Sequence, residues 1–191
     1  PTAMLYRNLM SMDVEESIKA NPLDGVVMLG GCDKTTPGML MGAASADVPT
    51  IMVTGGPQLK AWWRGEELGT CTDCRRYQNE LLAGRLSQND WIDLQENIIS
   101  GPGHCGVMGT ASTMSAMAES LGMALPGNTA TPAAHSDRKK LAEWAGHSVI
   151  EIVKRDLRPS KLLTMRSFEN AIRTLHAIGG STNAIIHLIA I

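Results

Sequence analysis

The sequence predicts an α/β fold, a three-layer parallel sheet with helices on both faces and a helix-rich second half. Two short apolar runs rich in β-branched residues, 25–29 and 50–54, read as buried parallel strands, and each runs into glycines. Helical patterns precede and follow the first run, giving the order helix, strand, helix, strand. Residues beyond the second run are mostly helical in pattern.

Taken in order, Val14 and Ile18 among charges suit an amphipathic helix over 13–20, which Asn21-Pro22 ends because the residue before proline avoids the helical region. The strand at 25–29 enters the loop Gly30-Gly31-Cys32. Thr36 then offers a cap and Pro37 fits a first helical position, where its missing amide hydrogen costs nothing, so a helix is expected to about 46. The strand at 50–54 stops at Gly55-Gly56-Pro57. Further helices are expected over 74–83, 90–99, 110–121, 136–154 and 167–178, separated by loops bearing Gly or Pro. No repeat or linker divides the chain, so 1–191 reads as a single unit.

With 191 residues the chain can bury one ordinary core, and 43% hydrophobic against 19% charged residues excludes a disordered composition. Seventeen basic and nineteen acidic residues leave a formal charge of -2, and the one short basic cluster is Arg138-Lys139-Lys140, which argues against a nucleic-acid partner. No apolar stretch reaches the length of a membrane span and no signal-peptide order opens the chain, so a cytoplasmic protein with no membrane partner is expected. Pro1 in place of an initiator Met, and an apolar run over 184–191 without a stop signal, suggest a piece of something longer.

Chemistry gathers in two cysteine loops. Gly30-Gly31-Cys32-Asp33-Lys34-Thr35-Thr36-Pro37-Gly38 sets a thiol, a carboxylate and an amine between a strand end and a helix start, where ligands often bind in α/β proteins. A helix start favours negative charge, so Cys32 is placed to be a thiolate. A phosphate-binding loop is excluded because Asp33 stands where that motif needs glycine before Lys34. Ser100-Gly101-Pro102-Gly103-His104-Cys105-Gly106 repeats the arrangement and is expected to present a second thiolate.

Thiolates from separate loops fit an iron-sulfur centre, while two buried inert thiols are the plainer alternative. Cys71 and Cys74 form a CxxC pair, which alone cannot complete a four-ligand site and reads as structural. A zinc module using all four cysteines would need them to converge. His104 reads as an ordinary loop contact, and the methionines around Met39 and from Met108 to Met123 as core filler.

Three motifs together resemble the dehydratases of dihydroxy acids and sugar acids, the group that holds dihydroxy-acid dehydratase and phosphogluconate dehydratase. They are Cys32-Asp33-Lys34-Thr35-Thr36-Pro37-Gly38, then Gly103-His104-Cys105-Gly106 with Met108-Gly109-Thr110-Ala111-Ser112-Thr113-Met114, and Gly179-Gly180-Ser181-Thr182-Asn183-Ala184. Leu29-Gly30-Gly31-Cys32 and Gly69-Thr70-Cys71-Thr72-Asp73-Cys74-Arg75-Arg76 resemble the sugar-acid branch, with its arabinonate and xylonate dehydratases.

The resemblance implies an incomplete N-terminal domain, with the C-terminal domain absent, of an enzyme that removes water from a sugar acid to give a 2-keto-3-deoxy acid. It implies Cys32 and Cys105 as two of three ligands to an iron-sulfur cluster, of the 2Fe-2S in preference to the 4Fe-4S type, with the third cysteine before Pro1. It further implies Mg2+ held by Asp33 and by Lys34 through a carbamate, with the base serine outside this chain and a homodimer or homotetramer as the assembly. Ser181, Thr182 and Asn183 are substrate-binding candidates, though a helix-capping turn explains them equally well. A branched-chain dihydroxy-acid dehydratase and a non-catalytic dimer-forming module stand as alternatives.

Overall fold

The computed structural model describes residues 3–191. Helix α1 (Ala3–Lys19) leads into β1 (Val26–Gly30), α2 (Thr35–Ala46) and β2 (Thr50–Thr54). A hairpin of β3 (Ala61–Trp63) and β4 (Glu66–Leu68) follows, then α3 (Thr70–Leu82), α4 (Gln88–Asn97) and α5 (Thr110–Ser120). The remainder is helical: α6 (Ser136–Lys154), α7 (Pro159–Leu162), α8 (Met165–Ala177) and α9 (Asn183–Ala190).

Strands β1 and β2 pair in parallel, from Val26 opposite Thr50 to Gly30 opposite Thr54. Alternation sends Met28 and Met52 into a core with Leu40 of α2 and Met114 and Met117 of α5, while Val27, Ile51 and Val53 pack against Ala145, Val149 and Ile152 of α6. Both strands therefore read as continuous apolar runs because each face meets helices. Among the described residues the parallel sheet has only these two strands, with one further bridge from Met52 to Ala124.

The first helix begins at Ala3, well before the expected 13, because its early turns are held against α2 rather than patterned. Leu5, Tyr6, Leu9 and Met12 stay exposed there, which hid the helix from a periodicity reading. The hairpin was also unexpected. Its turn residues Arg64 and Gly65 both have positive φ, 50° and 82°, the twist that suits a two-residue hairpin, but Arg-Gly carries none of the usual Asn or Asp signal. Around it lies a second apolar cluster, Ala61, Trp63, Leu68, Leu94 and Ile98, which joins the hairpin to α3 and α4. No helix among the described residues is long and apolar enough to cross a membrane.

Two features hold the loops that follow the strands. The first is a backbone bridge: His104 donates its amide to Gly56 O at 3.0 Å, and Gln58 donates to His104 O at 2.9 Å. Gly103, at φ 125°, runs so close that a Cβ would stand 2.7 Å from Gln58 N and Pro57 C, both backbone atoms. The second is the buried Arg138 guanidinium, which donates to Thr54 O at 2.8 Å, Asn128 O at 2.7 Å, Asn128 Oδ1 at 3.1 Å and Thr131 O. Asn128 in turn donates to Thr54 Oγ1 at 2.9 Å, and Thr54 Oγ1 meets Ser115 Oγ at 2.7 Å.

On the other side of α2, Arg7 of α1 donates to Nδ1 of the buried His187 on α9 at 3.1 Å. Burial, followed by the charges of Lys34 and Arg7, holds this imidazole down to about 4, with Asp33 acting weakly in the opposite direction.

Gly103→Ala is expected to destabilise the protein by about 2 kcal/mol, since the strained φ and the backbone collision leave no relaxed position, and chemical denaturation measures it; an unchanged midpoint would show that the bridge tolerates a side chain. For His187 the sign follows from its depressed value. Between pH 6.5 and about 4 the unfolded chain takes a proton that the folded one refuses. The stability present above pH 6.5 is therefore lost as pH falls through that window, by at most about 3 kcal/mol. Denaturant midpoints across the window should flatten in His187→Asn, and an equal slope in both proteins would assign the loss to other groups.

Candidate functional site

The first cysteine loop is shaped by a close approach of two chains. A Cβ on Gly31 would stand 2.8 Å from Gly55 N, so the turn after β1 can lie against the turn after β2 only with glycine there. Gly55 N donates to Gly30 O at 2.8 Å and locks the pair. Cys32 N donates to Thr35 Oγ1 at 2.9 Å, and Thr36 N to Cys32 O at 3.2 Å, which fixes the exposed thiol at the mouth of α2. The expected cap at Thr36 is corrected. The helix starts two residues earlier with Lys34 as its N-cap, so Thr35 serves the Cys32 amide and Thr36 Oγ1 is buried with no partner among the described residues.

Asp33 stands between the thiol and an amine. Its Oδ1 lies 3.6 Å from Cys32 Sγ, and its Oδ2 accepts from Lys34 Nζ at 2.9 Å. Lys34 is the more buried partner, its side chain 15% exposed against 45% for Asp33.

The second cysteine loop is carried by the His104 bridge. His104 Nδ1 lies 3.1 Å from Cys105 O, and burial, aided by a weaker repulsion from Arg138, lowers the affinity of the ring for a second proton. The ring is thus neutral, with Nδ1–H donating to the carbonyl. Nε2 is left buried with no partner among the described residues. Cys105 Sγ lies 3.3 Å from Cys71 Sγ in the first turn of α3. Burial, and then the hydrogen bond to Cys71, push the Cys105 thiol up to about 11. The expected thiolate is therefore a thiol in the metal-free chain, because Cys105 sits in a partly dry loop and the helix α5 begins five residues later, at Thr110.

Both loops face one cavity of about 420 Å3, lined by Cys32, Asp33, Cys71, His104, Cys105 and Arg75, with Thr110 at its edge. Cys71, read from the sequence as structural, and His104, read as a loop contact, both line this cavity, and the contact His104 makes is to the Cys105 backbone. The CxxC spacing hid the difference between the two cysteines: Cys71 lines the cavity, whereas Cys74 packs against the second apolar cluster. The four cysteines do not converge, which removes the zinc module. Lys34 reaches the cavity lining only through Asp33.

Ser181 and Asn183 also touch the cavity indirectly. Ser181 Oγ lies 2.8 Å from Thr110 Oγ1, and Asn183 Nδ2 donates to the same hydroxyl at 3.1 Å. Ser181 Oγ accepts from Asn183 N at 3.3 Å, a turn at the start of α9, while Thr182 is exposed and makes no capping bond with its side chain.

The donor types suit two different ions. Thiols on separate loops are the usual ligands of iron-sulfur centres, and the carboxylate oxygens of Asp33 suit a hard divalent cation. Among the described residues no three of His, Cys, Asp and Glu gather tightly enough to hold a metal ion.

The chain is 52% identical over 191 residues to the L-arabinonate dehydratase of Rhizobium leguminosarum bv. trifolii, covering all of this chain and 33% of that protein. It is 41% identical over 190 residues to the D-xylonate dehydratase of Caulobacter vibrioides, all of this chain and 32% of the relative. With the dihydroxy-acid dehydratase of Caldicellulosiruptor bescii it shares 40% over 189 residues, 99% of this chain and 34% of the relative. The chain thus spans about a third of the length of the curated relatives it matches. A family description, that of the dihydroxy-acid/6-phosphogluconate dehydratase N-terminal domain, matches residues 2–191, and with both cysteine motifs at one cavity the chain belongs to that family.

Proposed function

We propose that this chain is the part of a sugar-acid hydro-lyase that carries two iron-sulfur ligands, Cys32 and Cys105, and two Mg2+ ligands, Asp33 and Lys34. One observation carries the reading: thiols from loops far apart in sequence line a single cavity with a carboxylate beside them. The higher identity to the arabinonate dehydratase than to the dihydroxy-acid dehydratase, 52% against 40%, supports a sugar acid over a branched-chain dihydroxy acid. The remaining ligands and the base belong to the rest of the protein in this reading, so the chain alone is inactive.

An iron-sulfur cluster on the two thiols would supply Lewis acidity for a departing C3 hydroxyl, and Mg2+ beside it a hold on the carboxylate end of the acid. The residues of the chain do the positioning. Arg75 gives the cavity a permanent positive charge that draws a sugar-acid carboxylate. Carbamylated Lys34 would exchange its pairing with Asp33 for like charge, and the two groups would then hold a divalent cation and supply its oxygen ligands. Neutral His104 holds the Cys105 carbonyl, which keeps that backbone turned so that its thiol faces the cavity. Thr110, braced by Ser181 and Asn183, presents a fixed hydroxyl at the cavity edge, and this is the role the segment 181–183 takes in substrate binding.

In the full-length protein prepared anaerobically, Cys32→Ser and Cys105→Ser should abolish iron and acid-labile sulfide, while Cys74→Ser keeps both. Retention of iron in the first two variants would sink the assignment. Lys34→Arg, which cannot form a carbamate, is expected to keep iron and lower 2-keto-3-deoxy acid production from a panel of sugar acids by on the order of a hundredfold. Turnover of branched dihydroxy acids alone would move the protein to the other branch.

A further inference from the structure

The function proposed above leaves one nucleophile unused. Cys71 lines the cavity, is exposed, and lies 3.3 Å from Cys105 Sγ, while its neighbour in the CxxC pair is packed elsewhere. Both sulfurs are also mounted on the same short segment. Gln58 N donates to His104 O at 2.9 Å, and Thr70 Oγ1, one residue before Cys71, donates to Gln58 Oε1 at 3.2 Å. Closing the sulfurs from 3.3 Å to the bond length of about 2.05 Å needs a small side-chain rotation rather than a backbone rearrangement.

We propose that Cys71 and Cys105 form a reversible disulfide with a low-molecular-weight disulfide as oxidant, a modification site that withdraws Cys105 from metal binding. The consequence for metal rests on the assignment of Cys105 made above; the disulfide itself does not. The more exposed Cys71 sulfur attacks one sulfur of the small disulfide and releases a first small thiol. The Cys105 sulfur then attacks Cys71 Sγ and releases the second. Two protein S–H bonds and one external S–S bond are replaced by one protein S–S bond and two external S–H bonds, and two electrons pass to the oxidant. A sulfur so bonded has no charge to give iron, so cluster and disulfide exclude each other.

The test treats metal-free full-length protein with glutathione disulfide and maps cysteines by alkylation and fragment mass spectrometry. Of the four free cysteines in this chain, alkylatable thiols should fall to the pair Cys32 and Cys74, with one link joining Cys71 to Cys105 that dithiothreitol reverses. Cys74→Ser should retain the link and Cys71→Ser should form none. A second arm measures iron uptake after the same treatment: the wild type should lose most of its capacity and Cys71→Ser should keep it. Absence of the Cys71–Cys105 link, a link through Cys32 instead, or equal iron loss in Cys71→Ser would each overturn the inference. If untreated protein takes up no iron at all, the metal assignment of Cys105 fails by itself, and the mapping alone decides the disulfide.

Discussion

The candidate site depends on a pair of backbone hydrogen bonds between residue 104 and residues 56 and 58. The segment after β2 would otherwise leave polar backbone groups beside a partly dry cavity, at a cost comparable to a lost hydrogen bond for each. Pairing with the His104 loop satisfies them and, in the same act, carries Cys105 to the end of the sheet where β1 has already delivered Cys32. Glycine at 103 is the condition for that pairing, and glycine at 31 for the companion approach of the two strand ends. Two thiols from distant parts of the chain thus meet because the backbone has nowhere better to bond.

Behind this bridge stands an unusual buried cation. Among the described residues Arg138 has no carboxylate partner; its charge is met by the carbonyls of Thr54, Asn128 and Thr131 and by the Asn128 side chain. Carbonyl dipoles can meet the two terminal nitrogens of a guanidinium because its donors fan out in one plane, while Nε is left buried with no partner among the described residues. The result ties the end of β2 to α6 and, through Thr54 and Ser115, to α5. Its field also reaches His104, where it adds to burial in keeping the ring neutral. The same group therefore supports the shape of the cavity wall and adds a little to the burial that keeps one of its residues uncharged.

Much of the framework was legible in the sequence because it obeys local rules. The strand at Thr50–Thr54 and the helix at Ser136–Lys154 fall on the expected residues, since one is a short apolar run bounded by glycines and the other an amphipathic stretch with clear ends. What was not legible rests on tertiary contact. The early turns of α1 are helical by packing on α2, and the hairpin at Ala61–Trp63 and Glu66–Leu68 uses an Arg-Gly turn that carries no strong local preference. In the site, the glycine loops and their cysteines could be read as ligand loops from residue types alone. The partition of Cys71 from Cys74 could not, because residues three apart on a helix point only about 60° from each other and the neighbouring cluster alone decides which side chain is covered. The raised affinity of Cys105 for its proton was equally hidden, being a product of burial by residues remote in sequence.

The hairpin, α3 and α4 enclose their own small apolar centre, distinct from the methionine-rich core that receives β1, β2, α2 and α5. Separate apolar centres allow one part of a chain to open locally before the other. Opening the smaller unit would carry Cys71 and Arg75 away from the cavity while Cys32, Asp33 and Lys34 stay anchored to the larger one. Amide exchange in α3 and α4 would then run ahead of exchange in β1 and β2, and the entrance to the cavity could breathe without any melting of the strands beneath it.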